Sequence, residues 1–147
     1  MKTIELKPKI LLYEGIPGSG KSTLQRAVSK YRNHQHLSLD RFTPSMWVYA
    51  KYRGDSTYLL NERVENLLEE NFDVYVIWCL CNIGLAYNRC VRKADWADAN
   101  IDMLQQLEIL YKTYFSTVST YTKIIKINTE EEVHKCVLNV VEKVWSL

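Results

Sequence analysis

A nine-residue stretch near the start of the chain constrains its fold more than any other feature. Residues 15–23 read GIPGSGKST and match the pattern G-x-x-x-x-G-K-[ST]. The matching positions are Gly15, Gly20, Lys21 and Ser22. The apolar run 9–13 before the stretch predicts a buried parallel strand, and apolar residues at helical spacing after it predict a helix. Strand, glycine-rich loop and helix, in this order, form the context that the motif needs.

Backbone N–H groups explain what such a loop does. Successive N–H groups point inward and form a concave anion site, and the helix that starts near Lys21 adds its unpaired N–H groups and the positive end of its dipole. Lys21 is expected to reach the β- and γ-phosphates of a nucleotide, and the Ser22 hydroxyl is expected to ligate Mg²⁺. The sequence therefore predicts a site for ATP and Mg²⁺. The nucleotide-binding loop residues are Gly15, Ile16, Pro17, Gly18, Ser19, Gly20, Lys21, Ser22 and Thr23.

Composition is that of an ordinary globular protein. The chain has 147 residues, of which 47% are hydrophobic and 24% are charged, and this length predicts a single domain over 1–147. A net charge of +2 is too small to argue for a nucleic-acid partner. Neither a long apolar run nor the apolar core of a signal peptide is present, so we expect a cytoplasmic protein without a membrane partner.

Strand and helix signals alternate along the chain and predict an α/β fold. The expected strands are 9–14, 36–40, 74–80 and 122–127. Such a pattern favours a three-layer P-loop NTPase fold, with a small parallel sheet of about four strands flanked by helices. Thr43, Ser56 and Asp98 are expected to cap helices. The helix after Ser56 is expected to bury an apolar stripe of Leu60, Val64, Leu67 and Leu68.

Ligands of parallel α/β sheets bind beyond the carboxyl ends of the strands, which directs attention to Asp40 and Thr129. Phosphoryl transfer also requires a carboxylate near Mg²⁺ and cations around the transferred group. Asp40 fits the carboxylate, and Arg41 fits a bidentate ligand of an acceptor phosphate. The basic cluster of Arg89, Arg92 and Lys93 fits a lid over ATP. Simpler explanations stay open. They are a surface ion pair or a helix cap at 40–41, and, for the basic cluster, favourable charge at a helix C-terminus.

Four segments together resemble a known family. They are YEGIPGSGKST at 13–23, DRFTPSMWVY at 40–49, CNIGLAYNR at 81–89 and INT at 127–129. These are similar to the thymidylate kinase group of P-loop nucleoside and nucleotide kinases. The resemblance implies ATP-dependent phosphoryl transfer to a small nucleotide or nucleoside, with a lid at about 89–98.

The resemblance also implies individual roles. Asp40 would be the catalytic and Mg²⁺-associated carboxylate, sharing the metal with Ser22. Arg92 would stabilise charge from the lid, while Arg89 and Thr129 would contact ATP. The implied catalytic residues are Lys21, Asp40, Arg41 and Arg92. The implied acceptor-binding residues are Arg41, Ser45 and Tyr49.

Three functions stay open from the sequence. The first is a kinase that converts dTMP and ATP to dTDP and ADP, or that phosphorylates a deoxynucleoside. A 5′-hydroxyl polynucleotide kinase is the second, because such enzymes share the loop style with Pro17. The third is a nucleotide-binding regulator without catalysis, because the segment before Asp40 is short. A homodimer is compatible with each of them.

Overall fold

The computed structural model of the protein describes residues 6–55, 61–93 and 99–146. Strands and helices alternate through most of this length. The elements are β1 (Lys9–Glu14), α1 (Lys21–Tyr31), β2 (Leu37–Asp40), α2 (Thr43–Arg53), α3 (Asn61–Asn71), β3 (Asp73–Leu80), α4 (Ile83–Lys93), α5 (Ile101–Thr113), β4 (Ile124–Asn128) and α6 (Val133–Trp145). A π-helical turn at Tyr114–Val118 continues α5.

Within the described residues, four parallel strands form one sheet in the order β2-β1-β3-β4. Side chains that alternate along β1 and β3 enter cores on opposite faces of the sheet. Leu11 and Ile77 pack with α1 and α6, while Trp78 packs with α2, α4 and α5. Both faces are covered, which explains why β1 and β3 are nearly continuous apolar runs. The predicted three-layer α/β fold with a four-strand parallel sheet is confirmed.

Helix α3 buries a different face from the one that its sequence predicts. Leu67 is 51% exposed and Val64 is 37% exposed, whereas Glu65 is fully buried. The Glu65 carboxylate accepts hydrogen bonds from the Thr120 backbone N–H and hydroxyl, both at 2.8 Å, and from the Tyr114 hydroxyl. The predicted apolar stripe is therefore wrong at Val64 and Leu67, because hydrogen bonds from the segment after α5 compensate the buried carboxylate, whereas Leu68 packs against the core as predicted.

The helix caps also differ from expectation. Phe42 precedes α2, and the Thr43 side chain is buried with its hydroxyl 2.9 Å from the Tyr121 hydroxyl. Asn100 caps α5, and its side-chain oxygen accepts from the Met103 N–H at 2.8 Å. The expected caps Ser56 and Asp98 lie outside the described residues, as does Leu60 of the predicted apolar stripe. Across the described parts of the chain, we find no helix with the length and apolarity that crossing a bilayer would need.

Candidate active site

The glycine-rich loop joins β1 to α1 and has the backbone conformation that its sequence predicts. Gly18 and Gly20 have φ values of 77° and 85°, in the left-handed region that glycine adopts without strain. A Cβ on Gly18 would lie 2.1 Å from the carbonyl oxygen of Ala86, so α4 packs directly on the loop backbone. Gly20 precedes α1 without a side-chain cap, which leaves the first N–H groups of the helix for a ligand.

Lys21 is the first residue of α1 and is 5% exposed. Burial, together with the nearby charge of Arg41, lowers the pKa of its ammonium group to about 8. Lys21 and Arg41 line one cavity of about 340 Å³, together with Asp40, Arg89 and residues of the loop. Two buried or half-buried cations that repel each other in one cavity favour the binding of an anion there.

The two predicted metal ligands are neighbours. The Ser22 hydroxyl donates to a carboxylate oxygen of Asp40 at 3.4 Å, and both residues line the same cavity as Lys21. A hydroxyl and a carboxylate are hard oxygen ligands of the kind that Mg²⁺ prefers, with water and phosphate oxygens completing its shell. No cluster of three acidic, histidine or cysteine ligands occurs among the described residues.

Arg41 follows Asp40 at the carboxyl end of β2. Its backbone has a φ of 67°, which is uncommon for a residue with a side chain, and its N–H donates to the Tyr13 carbonyl at 3.1 Å. The guanidinium lies 5.3 Å from the centre of the Tyr49 ring. Two of the predicted acceptor residues, Arg41 and Tyr49, are thus in contact beside Asp40.

Ser45 lies in a different environment from the other predicted acceptor residues. It is buried in α2, where its hydroxyl donates to Glu14 and lies 3.0 Å from the Tyr111 hydroxyl. Ser45 therefore contacts the core beneath the cavity. Sequence reasoning gave Glu14 no role, although a glutamate that ends an apolar strand just before a glycine-rich loop was a visible signal.

Arg89 joins the loop to the end of β4. Its guanidinium donates to the Gly18 carbonyl at 3.2 Å and to the Thr129 carbonyl at 3.1 Å. The Thr129 hydroxyl in turn donates to the Ser19 carbonyl at 2.5 Å. Arg92 is exposed, and the last cation of α4 that lines the cavity is Lys93. The predicted lid continues through 94–98, which lie outside the described residues.

A second cavity of about 230 Å³ adjoins the first. The two share the loop glycines, Arg89 and Lys93, and the second extends between α1 and the start of α6. Its distinct lining residues are Thr23, Leu24, Thr129, Glu131, Val133 and Cys136. Apolar and polar walls are thus combined directly beside the glycine-rich loop, as is common in small-molecule sites.

Comparison with solved structures identifies the class of proteins that share this fold. The chain has the fold of P-loop kinases. It is similar to a deoxyadenosine kinase from M. mycoides, solved with dCMP and a flexible dCDP, with a TM-score of 0.65 and 14% identity over 94% of this chain and 100% of that chain. It is also similar to the YorR protein from Bacillus subtilis, solved with phosphorylated GDP, with a TM-score of 0.71 and 16% identity over 92% and 95%.

A gluconokinase from Sinorhizobium meliloti has the same fold. Its TM-score is 0.55 at 11% identity, over 97% of this chain and 94% of that chain. No protein-family model and no curated protein matches the chain. At these identities the shared property is the fold, and function is determined by the residues of the site.

Proposed function

We propose that the protein is an ATP- and Mg²⁺-dependent kinase that phosphorylates a nucleotide or nucleoside. The observation that carries the proposal is one cavity lined by the loop lysine, Lys21, by the Ser22–Asp40 pair and by Arg41. Phosphoryl transfer depends on positioning and on stabilising charge that develops at the transferred group, and these side chains supply both.

Each residue in the cavity has a role in this proposal. Loop N–H groups and Lys21 hold the β- and γ-phosphates of ATP, whose base occupies the second cavity. Asp40 accepts the proton of the attacking oxygen or holds Mg²⁺ with Ser22, and the metal supplies charge neutralisation on the phosphates. Arg89 and Lys93 line both cavities. In this proposal Arg92 stabilises charge from the lid.

Arg41 supports a monophosphorylated acceptor. A guanidinium beside the proposed catalytic carboxylate matches a phosphate monoester bidentately, and its contact with the Tyr49 ring restricts the directions in which it points. The finer proposal is therefore a deoxynucleotide acceptor such as dTMP, in agreement with the resemblance of 40–49 to thymidylate kinases. The M. mycoides deoxyadenosine kinase was solved with dCMP as a product, and this likeness favours the alternative of a deoxynucleoside acceptor.

An acceptor panel with ATP labelled at the γ-phosphate tests the proposal. The arms are dTMP and other deoxynucleoside monophosphates, deoxynucleosides, gluconate and an oligonucleotide with a 5′-hydroxyl. We expect labelled product and equal ADP release with a deoxynucleotide, and their loss when Mg²⁺ is chelated. Transfer to the oligonucleotide alone would instead identify a polynucleotide kinase, and tight ATP binding without transfer to any arm would identify a regulator.

A further inference from the structure

A fully buried carboxylate lies directly beneath the proposed acceptor side of the cavity. Glu14 is the last residue of β1, and one of its oxygens accepts a hydrogen bond from the Phe42 backbone N–H at 2.6 Å. The other oxygen accepts from the Ser45 hydroxyl and from the Tyr111 hydroxyl, the latter at 3.1 Å. Glu14 thus connects the turn after β2, helix α2 and helix α5.

The turn that Glu14 holds is strained. A left-handed conformation costs a residue with a side chain roughly 1–2 kcal/mol, so Arg41 keeps its φ of 67° only because neighbouring contacts enforce it. The Arg41 N–H is bonded to the Tyr13 carbonyl, and the next N–H, that of Phe42, is bonded to Glu14. The last two residues of β1 therefore fix the turn that presents Asp40 and Arg41 to the cavity.

We infer that Glu14 is a positioning residue for phosphoryl transfer, which holds Asp40 and Arg41 in the geometry that the reaction needs and connects this geometry to α5. The inference depends on the proposed function, because it concerns the residues that would carry the reaction. Glu14 acts through the Phe42 N–H and through Ser45, without contact to either substrate. Ser45, expected from the sequence to bind the acceptor, acts here as part of this support.

The contacts of Glu14 suit an ionised carboxylate. The Phe42 N–H, the Ser45 hydroxyl and the Tyr111 hydroxyl all donate to it, and an amide in its place would direct an N–H group toward one of these donors. Burial raises the pKa of Glu14 to about 7, while the nearby charge of Lys21 favours the ionised form. Neutralising Glu14 without changing its size therefore disturbs the turn and leaves the glycine-rich loop in place.

Glu65 provides a matched control for this inference. It is also fully buried, and it accepts hydrogen bonds from the Tyr114 hydroxyl and from Thr120. Tyr111 and Tyr114 lie one helical turn apart, so the pair Tyr111→Phe and Tyr114→Phe removes one hydroxyl from each buried carboxylate. Glu65 also accepts from the Thr43 hydroxyl at 3.3 Å, at the start of α2. Among the described residues, no hydrogen bond joins Glu65 to the glycine-rich loop, to Arg41 or to Phe42.

The test compares Glu14→Gln with Glu65→Gln, and Tyr111→Phe with Tyr114→Phe, in steady-state kinetics of the full-length protein. We expect Glu14→Gln to lower kcat by about 10- to 100-fold, because a displacement of about 1 Å in a reacting group costs up to about 100-fold. The KM for ATP should stay within about threefold, since the loop is untouched. Glu65→Gln should lose stability in urea unfolding yet keep kcat within about threefold.

The tyrosine pair keeps the test decisive if a glutamine variant does not fold. Tyr111→Phe is expected to lower kcat by about three- to tenfold, the effect of one hydrogen bond of typical strength, and Tyr114→Phe is expected to leave it unchanged. Equal effects on kcat in both pairs, or a normal kcat in Glu14→Gln or Tyr111→Phe, would overturn the inference and leave Glu14 a structural residue.

An NMR measurement separates failure of this inference from failure of the proposed function. If the wild-type protein transfers phosphate to no acceptor, the proposed function fails. The connection between Glu14 and the turn at Arg41 and Phe42 is then measured from backbone amide resonances. We expect the Arg41 and Phe42 amide peaks to shift in Tyr111→Phe and to stay fixed in Tyr114→Phe. Unmoved Arg41 and Phe42 peaks in Tyr111→Phe would overturn the role of Glu14 independently of any catalysis.

Discussion

The two halves of the cavity are built in different ways. The phosphate half consists of the backbone of one continuous stretch, 15–23, together with the start of α1. The acceptor half is assembled from side chains that are distant in sequence, in which Glu14 and Tyr111 support a turn that begins 26 residues after Glu14 at Asp40. The first half is specified by local sequence, and the second depends on the packing of the whole domain.

This difference predicts how each half responds to substitution. Backbone N–H groups cannot be removed by changing most side chains, so the phosphate half is vulnerable at Lys21 and at the glycines. The acceptor half depends on the buried side chains of Glu14, Ser45 and Tyr111, and removal of one leaves its hydrogen-bond partner unsatisfied. The following predictions test this contrast, beginning with the largest expected effect.

Lys21→Ala is expected to have the largest effect on the reaction. Removal of one charged group that stabilises the transferred phosphate lowers kcat by about 100- to 1,000-fold in comparable sites, and we expect a loss of this size here. Release of ADP with the best acceptor measures it. Lys30→Ala, on the exposed face at the other end of α1, is the control and should retain activity. Normal turnover in Lys21→Ala would contradict the assigned phosphate site.

Asp40→Asn should lower kcat by about 100-fold, since the amide loses both the negative charge near Mg²⁺ and the proton acceptor. Its affinity for ATP in the absence of Mg²⁺ should be close to that of the wild type, because the loop remains intact. Asp55→Asn removes an exposed carboxylate that pairs with Arg53 and should have no effect on kcat. Equal kcat values for the two variants would show that Asp40 is not catalytic.

Gly18→Ala and Gly54→Ala form a comparison at nearly identical backbone angles. Their φ values are 77° and 76°, so both variants lose roughly 1–2 kcal/mol to strain. At Gly18 the new Cβ also meets the Ala86 carbonyl, whereas at Gly54 it meets nothing within 4 Å. We expect Gly18→Ala to cost about 2 kcal/mol more in urea unfolding, a factor of about 30, and to weaken ATP binding. Equal stabilities would mean that α4 does not pack on the loop.

A smaller effect than those of Lys21→Ala, Asp40→Asn and Gly18→Ala is expected from pH, which should change the affinity for ATP. Because burial and Arg41 lower the pKa of Lys21 to about 8, free protein loses this charge as the pH rises through 8. Bound phosphate stabilises the charged form, so ATP affinity should fall by about tenfold between pH 7 and pH 9. Isothermal titration calorimetry measures this fall. Lys21→Met should remove it, and the same fall in Lys21→Met would assign it to another group.

The sequence predicts the phosphate half of the cavity better than the acceptor half. The bounds of β1 and the start of α1 agree with the prediction, because an apolar run, a glycine-rich loop and a helical repeat follow one another directly along the chain. The cavity that joins Lys21, Ser22, Asp40 and Arg41 also follows from the rule that parallel strands carry ligands at their carboxyl ends.

Buried carboxylates mark the limit of sequence reasoning here. A glutamate on an amphipathic helix is normally exposed, so the sequence placed Leu67 inside and left Glu65 outside. Tyr114 and Thr120, whose hydrogen bonds reverse that assignment, lie about 50 residues further along the chain. Ser45 was expected to bind the acceptor from the family resemblance alone, since its partners Glu14 and Tyr111 become visible only once α2 and α5 are packed together.

Transfer of the labelled γ-phosphate is the most direct test of whether the protein is a kinase with Asp40 as its catalytic carboxylate. Wild-type protein and Asp40→Asn are mixed with ATP, Mg²⁺ and deoxynucleoside monophosphates, and the product is resolved from ATP at a single turnover. The proposed function predicts that the wild-type protein transfers the label to a deoxynucleotide. It also predicts that Asp40→Asn binds ATP but transfers the label about 100-fold more slowly. Bound ATP with no label on any acceptor in the wild-type protein would contradict it.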